Sequence, residues 1–244
     1  MKAITIIPAR LNSSRLEKKL LQKLGDKTIL QHTFENASRA KLSTQTVIAT
    51  DSEEIAAVAE RFGAETVMTR EGHTSGSARV AEAAAHYEAD IIVNIQGDEP
   101  ELSPDYIDAL IETKHQTTSF AATLACPFPP DVDRADPSFV KVVFGGEIDQ
   151  ETHWAAYFSR APIPFGDNAI SYLHLGAYAY SRESIMAFAN ARPSGIEQME
   201  NLEQLRIISL GEKIAVRLVE RSAPGIDTQA DLDAARRRFN HGHQ

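Results

Sequence analysis

The sequence lacks most of the features that mark secreted, membrane-spanning or nucleic-acid-binding proteins. It contains one cysteine, Cys126, which excludes an internal disulfide and a cysteine-rich zinc cluster. The first residues, MKAITIIPAR, hold an apolar run too short for a membrane span, and no small-residue cleavage site follows it. The net charge of −9 argues against a general nucleic-acid-binding protein. We therefore expect a protein of the reducing cytoplasm that binds neither membrane nor nucleic acid.

Two common nucleotide-binding motifs are also absent. Neither GxxxxGK[ST] nor GxGxxG occurs, which argues against a P-loop kinase and a dinucleotide-dependent oxidoreductase. The chain does have 244 residues, 43% of them apolar and 24% charged, which is enough for one sizeable core. No internal repeat or low-complexity linker divides it. A single domain over residues 1–244 is predicted.

Short apolar runs alternate with helix-like stretches along the chain. The runs are typical of strands buried on both faces of a mainly parallel sheet. They are residues 4–7, 46–50, 65–69, 90–95, 120–125, 139–144 and 214–220. Helix starts are predicted at Asp51, Pro104 and Thr228, and a helix over 200–213 is expected to stop near Gly211. The pattern predicts the α/β class with a doubly wound sheet.

The pattern changes between about 150 and 180. Aromatic pieces, WAAYFSRAPIPF and YLHLGAYAY, are separated there by the turn-rich stretch GDNAIS. We interpret this segment as a small antiparallel insertion that covers the ligand cleft and pairs two subunits.

Positive charge is concentrated at the start of this acidic chain. Residues 1–23 hold six cations and one anion. The segment PARLNSSRLEKK (8–19) leaves the first predicted strand, and cationic side chains and backbone N–H groups on such a loop can cradle a triphosphate. Its cations are Arg10, Arg15, Lys18 and Lys19. A solvated basic surface loop is consistent with the same charges.

Acidic residues follow predicted strands. QGDEP (96–100) presents Asp98 and Glu99 at the carboxyl end of a buried strand, where open α/β sheets bind ligands. Carboxylates at that place suit magnesium bound together with phosphate oxygens. Asp227, in GIDT (225–228), is a second candidate. A turn or helix cap is the alternative, and for Asp227 the residues alone favour a helix N-cap or the residue next to it.

Nine segments, taken in order, resemble the 3-deoxy-manno-octulosonate cytidylyltransferases. They are IIPAR…S-x-RL…K (6–19), ATD (49–51), MTREGHTSGSAR (68–79), VNIQGDEP (93–100), VKVV (140–143), YFSRAPIPF (157–165), HLGAYAY (174–180), ENLEQLR (200–206) and IDT (226–228). The most specific are HTSG with Arg79, QGDEP, YFSRAPIP and the LEQLR helix. The resemblance covers nearly the whole chain. It implies a three-layer α/β/α nucleotide-sugar-transferase fold of Rossmann-like type and a homodimer.

The resemblance also implies a set of ligand residues. The triphosphate would meet Arg10, Arg15 and Lys19. Cytosine and ribose would meet Ser75, Gly76, Ser77, Arg79 and Gln96, with backbone groups near Pro8 and Ala9, because telling cytosine from uracil needs a matched donor and acceptor pattern. Magnesium would be held by Asp98 and Asp227, which replaces the cap interpretation of Asp227. The sugar's carboxylate and hydroxyls would meet Arg160, His174, Glu203 and Gln204.

The reaction implied by the resemblance is a transfer of CMP. The anomeric 2-hydroxyl of 3-deoxy-D-manno-octulosonate (Kdo) attacks the α-phosphate of CTP, and pyrophosphate leaves with magnesium. Catalysis would rest on Asp98, Asp227, Lys19 and Arg15, and the product would enter lipopolysaccharide biosynthesis. Three alternatives remain open. They are the same reaction on a modified ulosonate such as 8-amino-3,8-dideoxy-manno-octulosonate, a glycosyltransferase of similar fold, and a non-catalytic nucleotide-binding homologue.

One loop departs from the family pattern. The usual RLPGKPL reads RLEKKLL here, with Glu17, Lys18 and Leu20 in place of Pro, Gly and Pro. A charge-assisted contact to phosphate is worth about 1.5–3 kcal/mol and the lost backbone terms about 0.5–1 kcal/mol. We therefore expect Lys18 to act as a second triphosphate ligand beside Lys19. The alternative is that Lys18 is a solvated surface charge.

Overall fold

The computed structural model describes most of the chain, namely residues 1–13, 15–73, 75–130, 132–166, 169–221 and 225–241. Thr74 of the HTSG segment therefore lies outside the described residues. The backbone forms two compact units, one of Met1–Asp108 with Ala223–Gln244 and one of Ala109–Ser222. Both units contain strands and helices, in agreement with the predicted α/β class.

The secondary structure consists of eleven strands and eight α-helices in the described residues. In chain order they are β1 (Ala3–Ala9), β2 (Lys23–Leu24), β3 (Lys27–Thr28), α1 (Ile29–Ala37), β4 (Ser43–Thr50), α2 (Glu53–Arg61), β5 (Glu65–Met68), α3 (Gly76–Ala84), β6 (Ile91–Asn94), α4 (Pro104–Gln116), β7 (Ala121–Pro127), β8 (Lys141–Glu147), β9 (Thr152–Ser159), β10 (Tyr172–Ser181), α5 (Arg182–Asn190), α6 (Gly195–Glu200), α7 (Leu205–Ser209), β11 (Ile214–Leu218) and α8 (Gln229–His241). A short 3-10 turn spans Lys19–Leu21. None of the helices described is long and apolar enough to cross a membrane.

A parallel sheet lies at the centre of the first unit. Its order is β5-β4-β1-β6, and each neighbouring pair is parallel. Every residue of β1 is buried, as expected of a strand covered on both faces. The edge strand β5 is only partly buried. The apolar runs at 4–7, 46–50, 65–69 and 90–95 therefore predicted these four strands correctly.

The order of these strands creates a switch point beside β1. The chain passes from β1 to β4 and β5 on one side and then returns to β6 on the other. Because such crossovers are right-handed, α1 and α2 lie on one face of this sheet and α3 on the other. Ligands bind where the strand order reverses, at the carboxyl ends of the strands. That position lies between the ends of β1 and β6.

Two of four predicted helix boundaries differ in the structure. The helix predicted at Asp51 is capped by Ser52 instead, whose Oγ accepts a 3.3 Å hydrogen bond from the Ile55 N–H. The starts of α4 and α8 agree with prediction. The helix expected over 200–213 is shorter, since Asn201 has a left-handed φ of 53° and α7 begins four residues later.

A hydrophobic cluster attaches the closing helix α8 to the basic loop in the first unit. Its buried members are Leu16, Leu24, Ile29, Ile226, Leu232 and Ala235. The ring of Phe239 packs against this cluster. The residues before α8 are thereby brought to the loop that begins after β1.

The second unit is built mainly from antiparallel strands. Its order is β10-β7-β11-β9-β8, and β8 also pairs with β10, so the sheet closes on itself. Among the strand pairs described in this unit, β7–β11 alone is parallel. The predicted insertion at about 150–180 corresponds to β9 and most of β10, but the antiparallel region starts earlier and is larger than expected. Its role over a cleft stays a prediction.

Candidate active site

A polar pocket lies at the switch point of the first unit. Besides Ser13, Leu20 and Gly97, it is lined by seven residues predicted as ligands. These are Pro8, Arg10, Arg15, Lys19, Gln96, Asp98 and Asp227. The structure thus brings together the three triphosphate residues and the two metal residues that the resemblance implies, with part of the predicted base site.

The ammonium group of Lys19 lies between the two predicted metal carboxylates. Its Nζ donates to Asp98 Oδ2 in a short contact and to Asp227 Oδ1 at 2.8 Å. The guanidinium of Arg15 approaches the same Asp227 oxygen at 3.1 Å. The Lys19 side chain is only 12% exposed, so this contact is shielded from water. Two acids and two bases therefore form one network.

The backbone around Ile226 explains why Asp227 reaches this pocket. The Ile226 N–H donates to the carbonyl oxygen of Asp98 at 3.0 Å, and its side chain is fully buried in the α8 cluster. Asp227 follows directly. A hydrophobic contact and one backbone hydrogen bond therefore hold the two carboxylates side by side.

The cap of α8 is supplied by other residues than Asp227. The Thr228 hydroxyl oxygen accepts from the Asp231 N–H at 3.3 Å. The Asp231 carboxylate accepts from the N–H groups of Asp227 and Thr228. Asp227 is therefore the neighbour of the N-cap Thr228, as the residues alone allowed, and not the cap itself. Its carboxylate is left for Lys19 and Arg15.

Charge pairing perturbs both partners at the centre of the network. Burial lowers the pKa of Lys19, but its contacts with Asp98 and Asp227 outweigh burial and raise that pKa overall. Burial raises the pKa of Asp227, but Lys19 and Arg15 outweigh burial and lower it overall. Lys19 is therefore cationic and Asp227 anionic at neutral pH.

Glu99 is a neighbouring acid with different surroundings. Burial, followed by the charges of Asp98 and Asp227, raises the pKa of Glu99 to about 8. Its Oε2 is buried and has no hydrogen-bond partner among the described residues. Asp98 and Glu99 are adjacent in QGDEP, yet only Asp98 lines the pocket.

The two aspartates fit a magnesium site completed by phosphate. Both place an oxygen on the single Lys19 ammonium, so their oxygens converge on one point that a cation can occupy. In the described part of the chain, no group of three or more His, Cys, Asp or Glu side chains is placed to hold a metal ion. Magnesium commonly takes one or two carboxylates plus substrate phosphates and water, so a pair suffices.

The start of α3 forms the other side of the pocket region. A Cβ on Gly76 would lie 3.3 Å from Pro8 Cγ and 3.5 Å from Gln96 Oε1, so glycine permits this close approach. The Ser75 hydroxyl oxygen caps α3 by accepting from the Ala78 N–H at 3.2 Å. Three of the predicted base-site residues, Gly76, Pro8 and Gln96, therefore converge.

Ser77 and Ala9 are not at the pocket surface. Ser77 is 7% exposed and its hydroxyl accepts from the Asn94 amide at 3.5 Å. Ala9 is 1% exposed at the end of β1. Any contact that these two residues make with a nucleotide would come from their backbone.

Arg79 is held by a partner that the sequence analysis missed. Its Nη2 donates to Asp51 Oδ2 at 2.7 Å and its Nη1 makes a short contact with the Thr69 hydroxyl. The Arg79 side chain is 5% exposed and does not line the pocket. The ATD segment at the end of β4 was the available signal for Asp51. Direct contact of Arg79 with cytosine stays a prediction.

Lys18 points to a different acid from the ones in the pocket. Its Nζ lies 2.8 Å from both oxygens of Glu54, and it does not line the pocket. Its φ of 46° is left-handed, which is the conformation that the family's glycine adopts easily. The structure therefore favours the surface-charge alternative for Lys18 over a triphosphate ligand.

The predicted sugar residues lie in the second unit, where Arg160 is bound by carbonyl groups. Its guanidinium donates to the carbonyl oxygens of Glu200 at 3.0 Å, Pro137 at 2.7 Å and Asn201 at 3.2 Å. Lys141, which the sequence analysis missed, is fully buried and donates to the Arg160 carbonyl at 2.5 Å. Arg160 is therefore fixed in position, and its contact with a sugar carboxylate stays a prediction.

His174 is a neutral residue in the same unit. Burial lowers its pKa to about 3. Its Nε2 lies 3.0 Å from the Thr123 hydroxyl, which also lies 2.8 Å from the carbonyl of Ala177. Because a carbonyl only accepts, the single hydroxyl hydrogen is used there, and His174 donates from Nε2. Its Nδ1 is then an acceptor suited to a hydroxyl group.

The other two predicted sugar residues lie at the start of α7. Gln204 is 5% exposed and directly precedes this helix. Glu203 lies close enough to Tyr180 that its charge, after burial, raises the tyrosine pKa. Both residues belong to the same unit as Arg160 and His174.

Comparisons with known proteins agree with this geometry. The sequence profile of the family described as Cytidylyltransferase matches residues 4–214. A protein of Pelodictyon phaeoclathratiforme named 3-deoxy-manno-octulosonate cytidylyltransferase is 42% identical over 244 residues, covering 97% of this chain and 97% of that protein. A protein of the same name from Brucella anthropi is 41% identical over 240 residues, covering 97% and 96%. The solved structure of a CMP:2-keto-3-deoxy-manno-octonic acid synthetase complexed with CTP has a TM-score of 0.92 and 36% identity, covering 99% of this chain and 100% of that chain.

Proposed function

Since this chain belongs to the family of 3-deoxy-manno-octulosonate cytidylyltransferases, we propose that it transfers CMP from CTP to the anomeric 2-hydroxyl of Kdo. The products are CMP-Kdo and pyrophosphate, and CMP-Kdo serves lipopolysaccharide biosynthesis. The observation that carries the proposal is the Asp98–Asp227 pair, which shares one cation in a pocket that also holds Arg10 and Arg15. Paired carboxylates among cations suit a metal-bound triphosphate.

The chain's own residues can bind the triphosphate and balance the negative charge that develops during transfer of the CMP group. The sugar oxygen forms a bond to the α-phosphorus while the bond from that phosphorus to the bridging oxygen of the β-phosphate breaks. The hydroxyl proton passes to water and pyrophosphate leaves. Arg10, Arg15 and Lys19 bind the triphosphate and balance the charge that develops on the leaving group. Asp98 and Asp227 would hold Mg²⁺, which when bound neutralises further charge on the phosphate oxygens.

Selection of cytosine would take place where α3 meets β1 and β6. The close approach of Gly76 to Pro8 and Gln96 supports this, because it places backbone groups and one amide side chain around a small space. A matched set of donors and acceptors there penalises uracil, since unpaired buried polar groups cost free energy. Arg79 would act through α3 or by direct contact with the base.

The sugar would be bound by the second-unit residues. Arg160 offers the sugar carboxylate a guanidinium fixed by three carbonyl groups, and the neutral His174 offers a hydroxyl group an acceptor nitrogen. Glu203 and Gln204 would bind further hydroxyls. This assignment is supported by chemical fit and by the family relationship.

The protein would act in the cytoplasm as a homodimer. A single cysteine in the sequence and a nucleoside triphosphate as substrate suit the cytoplasm. Two large apolar side chains between β9 and β10 support a subunit contact, because Phe165 is 102% and Ile170 72% exposed. Light scattering of the wild type and of Phe165→Ser with Ile170→Ser tests the dimer. A monomeric wild type would contradict it.

Pyrophosphate release tests the proposed reaction. The protein is incubated with Mg²⁺, one of CTP, UTP or ATP, and one of a panel of acidic sugars that includes Kdo and its 8-amino analogue. We expect release with CTP and Kdo, and a preference for CTP over UTP of about tenfold or more, since a lost buried hydrogen bond costs about 1–3 kcal/mol. Equal turnover with UTP would contradict the assigned base site.

The same assay separates the alternatives. Release with the 8-amino sugar alone would identify a modified ulosonate as the substrate. CTP binding without release on any sugar would indicate a non-catalytic homologue. Consumption of a finished CMP-sugar without pyrophosphate would indicate a glycosyltransferase.

A further inference from the structure

We propose that Lys19 makes metal binding at this site dependent on the nucleotide, because its ammonium holds the Asp98–Asp227 pair until a triphosphate draws it away. The inference rests on the proposed function and deepens it. It assigns Lys19 two successive partners, first the carboxylates and then the phosphates. Magnesium then enters with CTP.

The geometry shows that Lys19 and a metal ion would compete for one place. The ammonium takes one oxygen from Asp98 and one from Asp227, the two oxygens that converge in the pocket. A metal ion bound to both oxygens would occupy the position of Nζ, and two cations cannot share it. The Lys19 side chain is only 12% exposed, so water screens this contact little.

The site also contains the means to release Lys19. The side chain extends from the 3-10 turn Lys19–Leu21 on a flexible four-carbon stem with three rotatable donors. The pocket lining includes Arg10 and Arg15, so a triphosphate bound there would present phosphate oxygens beside the same ammonium. Exchange of carboxylate for phosphate oxygens keeps Lys19 paired throughout.

Arg15 also contacts the carboxylate pair that Lys19 holds. Its guanidinium lies 3.1 Å from the same Asp227 oxygen that Lys19 contacts, but its side chain is 61% exposed. Solvent screening therefore makes Arg15 the weaker of the two competitors. Lys19 is the residue that decides the metal affinity.

The consequence is a coupling between the two ligands. A triphosphate that removes Lys19 raises the affinity of the carboxylates for the metal, and by thermodynamic linkage the metal raises the affinity for the triphosphate equally. Without nucleotide, the protein should bind divalent cations weakly. Removing the Lys19 charge should make the protein bind divalent cations more tightly without nucleotide.

Binding of Mn²⁺ without nucleotide tests the inference. Free Mn²⁺ is measured by electron paramagnetic resonance for the wild type, Lys19→Met, Lys19→Arg and the matched control Lys18→Met, whose lysine pairs with Glu54. We expect Lys19→Met to bind Mn²⁺ about tenfold tighter or more than the wild type, since a charged hydrogen bond no longer competes. Lys19→Arg and Lys18→Met should bind as weakly as the wild type.

Two further measurements keep the result interpretable. Mn²⁺ should raise the Tm of Lys19→Met without CTP, which also shows that the variant is folded. Adding Asp98→Asn to Lys19→Met should remove the gained affinity, because the metal then loses a carboxylate.

Three outcomes would overturn the inference. They are wild-type Mn²⁺ affinity in Lys19→Met, an equal gain in Lys18→Met, and a gain that survives Asp98→Asn. None of these depends on turnover. Failure of the proposed reaction would appear instead as absent pyrophosphate release by the wild type.

Discussion

The buried ion pair between Arg206 and Glu197 allows a sharp prediction about stability. Arg206 Nε donates to Glu197 Oε2 at 2.8 Å, and its Nη2 makes a short contact with the second carboxylate oxygen. Both side chains are 9% exposed, and the guanidinium lies 4.5 Å from the centre of the Phe188 ring. Arg206→Met would leave the Glu197 carboxylate buried without its cation.

The expected loss follows from that burial. Removing one partner of a buried ion pair costs about 3–5 kcal/mol, since the remaining charge has lost both water and its partner. For a chain of this size each kcal/mol lowers the Tm by about 2–4 °C, so we expect a fall of about 6–20 °C. Glu197 also completes the cap of α6 with Ser194, which leaves the helix start intact in Arg206→Met.

An exposed ion pair of the same chemistry is the matched control. Arg238 donates from Nε and Nη2 to the Glu101 carboxylate, but these side chains are 41% and 26% exposed. Arg238→Met should cost about 0–1 kcal/mol, because solvent screens the pair. Differential scanning calorimetry compares both variants with the wild type. If Arg206→Met costs no more than Arg238→Met, burial does not set the strength of the inner pair and the reasoning is refuted.

Further predictions concern the proposed site. Asp98→Asn and Asp227→Asn should each abolish pyrophosphate release while changing the Tm little, and full activity of Asp227→Asn would remove it from the metal site. Arg160→Lys should raise the KM for the sugar sharply and leave that for CTP near normal; an unchanged sugar KM would make Arg160 structural. Because His174 has a folded pKa of about 3 against 6.5 when unfolded, stability should be complete above pH 6.5 and fall as pH decreases, by about 2 kcal/mol at pH 5, and His174→Gln should flatten that slope in urea unfolding. Lys18→Gly should leave the Kd for CTP within about twofold, since glycine accepts a left-handed φ without strain; calorimetric titration showing a tenfold loss would restore Lys18 as a phosphate ligand.

Local patterns in the sequence were sufficient for much of the fold. The apolar runs at 4–7 and 90–95 became β1 and β6, because side chains that must avoid water on both faces leave a continuous trace in the sequence. The polar residues that follow these strands could be placed at one sheet edge, because the carboxyl ends of parallel strands meet there. Basic and acidic candidates on the loops after β1 and β6 therefore met in one pocket, as expected.

The tertiary structure decided which charged groups pair. Lys19 lies 79 positions from Asp98 and 208 from Asp227, and neither spacing carries a periodic signal. Asp227 lies next to the helix cap, as local preference allowed, but the burial of Ile226 and its hydrogen bond to the Asp98 carbonyl bring the Asp227 carboxylate to the pocket. Local sequence preference describes helix ends well, but it does not contain such long-range contacts.

The same limit explains the partners of Arg79, Arg160 and Lys18. The sequence identified all three as cations in significant segments. It marked Asp51 only as part of the ATD segment, without linking it to Arg79, and it gave no means of finding the carbonyl groups around Arg160, or Glu54. A cation is satisfied by whichever oxygen atoms the packed chain places within about 3 Å of it. The residue type and its segment are properties of the sequence, whereas the identity of the bound oxygen is determined only when buried strands and helices have fixed the distances between them.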